Sequence, residues 1–143
     1  MVRKFIYLFI FLYSVTALSQ QNSSQSALVH YEQGLLQQQQ GDYKSAEISF
    51  KNSIQQDLGF LPARLALGEV LLELGNVESA KKELQLALSM KADTQAVILP
   101  LVRAHLLLNQ YQLALDLLAQ YSSLSTLQNY ALYQGNALLA LRK

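Results

Sequence analysis

The sequence predicts an all-α protein, built as a right-handed superhelical solenoid of antiparallel helix hairpins. Turn-forming residues recur every 34 positions, at Gly41, Gly75 and Asn109. These residue types adopt a left-handed backbone at low cost and therefore often end helices. The 143 residues are rich in leucine, alanine and glutamine and contain only two prolines, a composition that favours helices. We expect about three hairpins and one unpaired C-terminal helix.

Residues 1–19 resemble a secretory signal peptide. Basic residues open this segment, an uncharged run of fourteen residues follows over 5–18, and the small residues Ala17 and Ser19 mark the expected cleavage site. The alternative is a retained membrane anchor, although a helix needs about 20 residues to cross a bilayer core. We expect cleavage after residue 19.

The charge balance and the cysteine count narrow the functional class. Cleavage would leave nine basic against ten acidic residues, a net charge of −1, so the composition gives no electrostatic basis for binding nucleic acid. The chain has no cysteine; an exported form would therefore carry no disulfide and no acylation site of the lipoprotein type. These features predict a soluble periplasmic or secreted protein, which contacts a membrane only if the N-terminal segment is not cleaved.

The repeating domain is predicted to follow a short polar linker. Its parts are the linker at 20–26 and the domain at 27–143, divided into repeats 27–60, 61–94 and 95–127 and a partial repeat 128–143. Within a repeat, the turn residue ends the first helix and the next residue caps the second. Asp42 and Asn76 are strong N-cap residues, whereas Gln110 is a weaker one.

Packing residues return in the same register as the turns. Each repeat has an alanine in its second helix and a large apolar residue four positions later, and the first two repeats have a glycine on the first helix. The alanines are Ala46, Ala80 and Ala114, the large residues are Phe50, Leu84 and Leu118, and the glycines are Gly34 and Gly68. Small residues let helices approach closely, and we expect the large ones to fill the space between hairpins. A single hairpin cannot bury its apolar surface, so the hairpins must stack.

This pattern over 27–141 resembles the tetratricopeptide repeat, which has small residues at repeat positions 8 and 20 and a large apolar residue at 24. Departures occur at position 4 and at the closing proline of position 32. The residues there are His30, Arg64 and Ile98, then Leu58 and Ala92. The resemblance implies a non-enzymatic scaffold or adaptor that holds a peptide or partner protein in a concave groove.

The first helices of the repeats line that groove in the family. Carrying the family's groove positions across gives Leu28, Tyr31, Leu35, Gln38, Gln39, Pro62, Leu65, Glu69, Leu72, Glu73, Ala96, Leu99, Arg103, Leu106 and Leu107. Relatives that grip a C-terminal carboxylate have a lysine at position 5 and an asparagine at position 9, and this chain has neither. An Hsp70 or Hsp90 tail is therefore not the expected ligand, and the apolar groove suits a segment with large side chains. The alternative is that some of these leucines pack against the next helix.

A narrower resemblance concerns the segment ARLALGEVLLELGNVESAKKELQLAL at 63–88 and the helix that contains Pro100. These are similar to long tetratricopeptide lipoproteins that accompany exosortase (PEP-CTERM) sorting and exopolysaccharide export, which implies a role in the bacterial cell envelope. An assembly factor for a pilus or a secretion machine is the alternative. Pro100 should kink its helix or delay the start of that helix to about Leu99.

The partial repeat offers a third possibility. Gly135 aligns with Gly68 if one residue is lost in the preceding loop. A terminal helix should have a polar outer face, but this one is apolar, with Leu132, Tyr133, Leu138, Leu139 and Leu141. Either this face binds a partner, or the chain is a truncated, self-associating member of a longer array.

No sequence motif indicates catalysis, a metal or a cofactor. The chain has no nucleophile elbow, phosphate-binding loop or dinucleotide glycine motif. His30 and His105 fall at positions that usually hold packing aromatics, and neither has a second metal ligand four residues on. Glu69 and Glu73 lie one helical turn apart, and basic residues should make them part of an ordinary solvated face. Those basic residues are Arg64, Lys82 and Arg103.

Overall fold

A computed structural model describes residues 24–127 and 129–142, and these form seven α-helices. The helices are α1 (24–39), α2 (Tyr43–Gln56), α3 (Leu61–Glu73), α4 (Val77–Ser89), α5 (Thr94–Leu107), α6 (Tyr111–Gln120) and α7 (Tyr130–Leu141), with a short 3₁₀ helix at Ser122–Leu124. The described residues contain no β-strand, and the predicted all-α class is confirmed. The predicted signal peptide and residues 20–23 lie outside the described residues. Residues 24–26, which we assigned to the linker, belong to α1.

The helices pair in sequence and stack side by side. Helix α3 packs against α2, α4 and α5, and α5 packs against α3, α4, α6 and α7. Helices α1 and α2, α3 and α4, and α5 and α6 therefore form three successive hairpins, and α7 takes the place of the first helix of a fourth. This is the predicted solenoid, in which each repeat contacts only its neighbours.

The predicted turns are present in each hairpin. The turn residues have left-handed φ values of +79° at Gly41, +76° at Gly75 and +58° at Asn109. The carboxylate of Asp42 accepts a hydrogen bond from Ser45 N at 3.1 Å and so caps α2. Asn76 also occupies the N-cap position of α4, but its side chain makes no capping hydrogen bond. The predicted N-cap position is therefore confirmed, without the side-chain hydrogen bond that Asp42 makes.

The glycines on the first helices admit a large side chain from the second helix of the same hairpin. A Cβ atom on Gly34 would lie 2.5 Å from Phe50 Cε1, and one on Gly68 would lie 2.8 Å from Leu84 Cγ. We call this site on a first helix the notch. Phe50 and Leu84 are fully buried; they fill the notch inside their own hairpin, whereas we expected them to lie between hairpins. In the third hairpin Val102 stands at this position.

Helix α5 runs from Thr94 to Leu107 through Pro100, so the predicted delay of its start to Leu99 is wrong. The helix starts early because the carboxylate of Asp93 accepts a hydrogen bond from Gln95 N at 3.1 Å. A proline inside a helix costs roughly 3 kcal/mol. Burial of apolar side chains on both sides of the proline, including Val97 and Leu101, offsets this cost.

Candidate binding groove

The first helices of the four repeats enclose an open cavity of about 630 Å³. It is lined by Leu35, Gln38, Gln39, Tyr43, Glu69, Leu72, Glu73, Leu99, Pro100, Arg103, Asn129 and Tyr133. A smaller cavity of about 300 Å³ adjoins it and shares Leu35, Gln38 and Glu69 with it. We call the two cavities together the groove. Its walls combine leucine side chains with a few polar groups, as is usual for ligand sites in proteins.

The structure brings most of the predicted groove residues together. Eight line the larger cavity: Leu35, Gln38, Gln39, Glu69, Leu72, Glu73, Leu99 and Arg103. The smaller one is lined by four more: Tyr31, Pro62, Leu65 and Ala96. Leu28, Leu106 and Leu107 line neither cavity; Leu106 packs instead against the buried cluster of the third hairpin. Leu72 is only 4% exposed, so it forms the floor of the groove and also belongs to the core.

Four residues that line the larger cavity were not predicted: Tyr43, Pro100, Asn129 and Tyr133. The last two come from the start of α7 and the residue before it, where we had not assigned groove positions. The alignment of Gly135 with Gly68 was the available signal, because it makes α7 the first helix of a repeat and so extends the groove onto it.

One ion pair crosses the groove from α5 to α3. Arg103 Nη1 donates to Glu73 Oε1 at 2.7 Å, and both side chains remain partly exposed. This hydrogen bond is the main cause of a raised pKa at Arg103. The ion pair positions a guanidinium group within the groove and uses Glu73 as its partner.

The other two basic residues that we placed beside the glutamates lie elsewhere. Arg64 is 8% exposed; it donates to Glu83 Oε2 at 2.8 Å and to the Leu58 carbonyl oxygen at 3.1 Å. Lys82 lines a separate cavity beside Glu83. Arg64 and Lys82 therefore do not form the predicted solvated face with Glu69 and Glu73. Arg64 points away from the groove toward Glu83, and Lys82 lies on α4.

Glu69 lines the groove, and its surroundings there shift its pKa. Solvent reaches it, but the surrounding protein removes part of its hydration, and this loss raises the pKa of Glu69. A hydrogen bond with Gln38 and the charge of Arg103 act in the opposite direction and only partly offset it. Burial, with a smaller effect from the charge of Glu69, also raises the pKa of Tyr31. The groove therefore holds a carboxylate that is poorly stabilised in its ionised form.

Aromatic side chains form the end of the groove near α1. The Tyr31 ring lies 5.8 Å from the Phe50 ring and 5.5 Å from the Phe60 ring, measured between centroids, and meets Phe60 edge to face. Such pairs contribute roughly 0.5–1.5 kcal/mol beyond the area they bury. They fix the Tyr31 side chain between the first hairpin and the start of α3.

The two histidines take up packing positions. His105 is 9% exposed, and its Nδ1 lies 2.7 Å from Gln110 Oε1, so it joins the end of α5 to the start of α6. The Nδ1 atom of His30 is buried without a hydrogen-bond partner among the described residues. Within 24–127 and 129–142, no three His, Cys, Asp or Glu side chains are grouped to hold a metal ion. No described helix has both the length and the apolar character to cross a membrane.

Comparisons with known proteins agree with this architecture. Residues 37–97 match the family model of the tetratricopeptide repeat. The first TPR of Spaghetti (RPAP3), solved with the HSP90 peptide SRMEEVD, has a TM-score of 0.78 and 18% identity, covering 84% of this chain and 96% of that one. The Arabidopsis OM64 TPR domain has a TM-score of 0.75 and 14% identity, covering 80% and 96%. No curated protein sequence matches the chain. Residues 37–97 therefore match tetratricopeptide repeats, and the described chain has the fold of tetratricopeptide domains.

Proposed function

We propose that this chain is a non-enzymatic scaffold that binds a segment of a partner protein in the groove. The observation that carries the proposal is the open cavity of about 630 Å³ on the face formed by the first helices, with leucines and charged groups side by side. Ligand sites typically have volumes of about 300–1,000 Å³ and a few polar groups among apolar ones. A structural neighbour of the same fold was solved with a bound peptide.

Apolar side chains of the ligand would supply most of the binding energy. Leu35, Leu72 and Leu99 line the groove from three successive first helices, so a segment lying across these helices covers all three. Burial contributes about 25 cal/mol per Å² of apolar surface removed from water. Polar side chains such as Gln38, Gln39 and Asn129 also line the groove, and they can pair with the amide groups of the ligand backbone.

Charge in the groove favours a basic residue in the ligand. Arg103 is already bound to Glu73, whereas Glu69 has lost hydration and has a raised pKa. A lysine or arginine of the ligand would stabilise the ionised form of Glu69 and pair with it in a site partly shielded from water. We therefore propose an apolar segment that carries a lysine or arginine, in contrast to the acidic peptide SRMEEVD bound by the Spaghetti domain.

Selection of peptides on the full chain tests this proposal. A random peptide library should yield ligands with large apolar residues around a lysine or arginine. Glu69→Lys should weaken their binding at least about tenfold, which corresponds to roughly 1.4 kcal/mol. Asp116→Lys is the matched control, because Asp116 is an exposed acidic residue on α6 outside the groove. Ligands that bind the Glu69→Lys variant as tightly as the native chain would contradict the proposal.

We also propose that the scaffold acts outside the cytoplasm, in the periplasm or as a secreted protein. Support comes from the basic start, the uncharged run and the small-residue site within residues 1–19. The resemblance to exosortase-associated tetratricopeptide proteins suggests exopolysaccharide export or PEP-CTERM sorting as the setting, with pilus or secretion-machine assembly as the alternative. Mass spectrometry of protein from fractionated cells should find an N-terminus at Gln20 outside the cytoplasm. An intact N-terminus in the cytoplasmic fraction would contradict export.

A further inference from the structure

Helix α7 is apolar on two opposite sides, but the described protein covers only one. Its inner side buries Tyr130 and Ala137, and the Tyr130 hydroxyl donates to the Leu118 carbonyl oxygen of α6 at 2.7 Å. The opposite side exposes three leucines. Leu132 is 57% exposed, Leu138 55% and Leu139 63%. We call Leu132, Gly135, Leu138 and Leu139 the outer face of α7.

The outer face contains an empty notch. At 3.6 residues per turn, Gly135 lies roughly opposite Ala137 and Tyr130. A Cβ atom built on Gly135 would meet no atom within 4 Å. The equivalent atoms on Gly34 and Gly68 would collide with the side chain that fills each notch. The same feature is therefore filled in the first two hairpins and open in α7.

The second helices share one pattern where they cover a first helix. An alanine is followed four residues later by a large apolar residue, in the pairs Ala46 and Phe50, Ala80 and Leu84, and Ala114 and Leu118. All six are 0–1% exposed. In the first two hairpins the large residue enters the notch, and the small residue lets the two helices approach closely.

Helix α7 carries both halves of this pattern on its outer face. Gly135 is the small residue, and Leu139, four residues later on the same side, is the large one. In a two-fold symmetric contact, residue i of one copy meets residue j of the other and j meets i. An antiparallel second copy would therefore place its Leu139 in the notch of Gly135 and receive the first copy's Leu139 in its own.

We propose that two copies of this chain associate through α7, antiparallel and two-fold symmetric, with Leu139 of each copy in the Gly135 notch of the other. The contact continues the packing seen between α3 and α4, with the second copy's α7 in the role of α4. Leu132 and Leu138 flank the notch and add apolar area. Asn129 and Tyr133 line the groove, and Tyr133 lies on the side of α7 opposite Gly135, so these two residues are not part of the proposed contact.

Sedimentation equilibrium of the full chain tests the dimer. From low micromolar to several hundred micromolar protein, we expect a reversible monomer–dimer equilibrium. Leu139→Glu should weaken association at least about tenfold, because it would place a carboxylate in an apolar contact. Ile48→Glu is the matched control, since Ile48 is 60% exposed on α2, and it should associate like the native chain. Circular dichroism of both variants checks that the fold is retained.

Spin labels test the antiparallel arrangement, and the absence of native cysteine makes single-cysteine variants simple to label. In the proposed dimer, positions 132 of the two copies lie at opposite ends of the helix pair, about 17 Å apart. Positions 136 lie near the two-fold axis, about 10 Å apart. A parallel dimer would instead give similar, short distances at both positions.

Three results would overturn the proposal. The first is a monomer at every concentration, which would leave the outer face to a different partner. The second is a Leu139→Glu variant that associates as tightly as the native chain, which would assign the association to another surface. The third is a pair of equal label distances at positions 132 and 136. None of these results bears on peptide binding in the groove, so the two proposals can fail separately.

Discussion

Helices α3 and α7 have similar sequences, but they pack against different numbers of neighbouring helices. Each begins a repeat, each is apolar on most of its circumference, and each carries a glycine at the notch, Gly68 in α3 and Gly135 in α7. Helix α3 packs against α2, α4 and α5, whereas α7 packs against α5 and α6. An apolar helix of this kind is expected to be buried on all sides. The exposed leucines of α7 therefore lack the cover that α4 gives to α3 within the described residues.

The two glycines show how the same residue can be required in one helix and dispensable in another. Leu84 approaches Gly68 so closely that a Cβ atom there would collide with it, while the space beside Gly135 is open. Glycine inside a helix costs about 1 kcal/mol relative to alanine. In α3 the packing of Leu84 offsets this cost, and in α7 nothing in the described chain does so. Substitutions at equivalent positions should therefore have different, even opposite, effects.

The largest difference should come from removing the large residue of each pattern. Leu84→Ala should lower the free energy of unfolding by about 2–5 kcal/mol, because Leu84 is fully buried and its loss leaves a cavity. Leu139→Ala should change it by less than about 0.5 kcal/mol in dilute protein, where Leu139 is exposed. Urea unfolding followed by circular dichroism measures both. Similar losses in the two variants would show that α7 is covered even in dilute solution.

Alanine at the filled notch should have a smaller, destabilising effect. In Gly68→Ala the new methyl group would lie 2.8 Å from two atoms of Leu84, and Leu84 can move little because it is fully buried. Overpacking typically costs about 1–3 kcal/mol, and the better helix propensity of alanine returns about 1 kcal/mol. We expect a net loss of about 1 kcal/mol in the same urea experiment. A stabilised variant would mean that Leu84 repacks easily.

Alanine at the empty notch should have the opposite sign. Gly135→Ala places its methyl group in open space, so only the helix propensity changes. The free energy of unfolding should rise by about 0.5–1 kcal/mol in dilute protein. Because the methyl group narrows the notch, the same variant should dimerise less tightly in the sedimentation experiment. A loss of stability in dilute protein would show that the notch of α7 is already occupied.

Features set within one hairpin could be predicted from the sequence. Gly41 and Gly75 were assigned to left-handed turns because few other residues adopt that backbone at low cost, and both have positive φ. The gap at Gly68 was predicted from residue size and repeat spacing, and Leu84 fills it. In each case the chemistry of one residue, at one place in the repeat, determines the local structure.

Features that depend on how neighbouring helices are turned could not be predicted. The family's groove positions include Leu72, but the rotation of α3 buries it to 4% exposure, so a lysine there would unfold the chain and not simply block the groove. Arg64 was expected near Glu69, yet it pairs with Glu83 of α4. With Gly135 aligned to Gly68, Tyr133 falls at the place of Ala66, which is not one of the family's groove positions, so the repeat pattern did not indicate it as a groove residue.

The smallest effect concerns Glu69 on the groove side of α3. The pKa of Glu69 is raised above its ordinary value of 4.5 in the folded chain, mainly by lost hydration. The folded state therefore binds the proton more tightly than the unfolded state, and ionisation of Glu69 opposes folding. Stability from the protonated form is present at acidic pH and lost as the pH rises through the raised pKa. Glu69→Gln should remove this loss.

Urea unfolding across this pH range measures the effect of Glu69→Gln. The variant and the native chain should be similar below pH 4.5, and the variant should become the more stable one as the pH approaches neutrality. Glu78→Gln makes the same chemical change on α4, where the side chain is 61% exposed, and it reports the effect of the substitution outside the groove. A bound lysine or arginine would favour the ionised form of Glu69. Selected peptides should therefore stabilise the native chain more at neutral than at acidic pH, and a pH-independent stabilisation would place the basic residue away from Glu69.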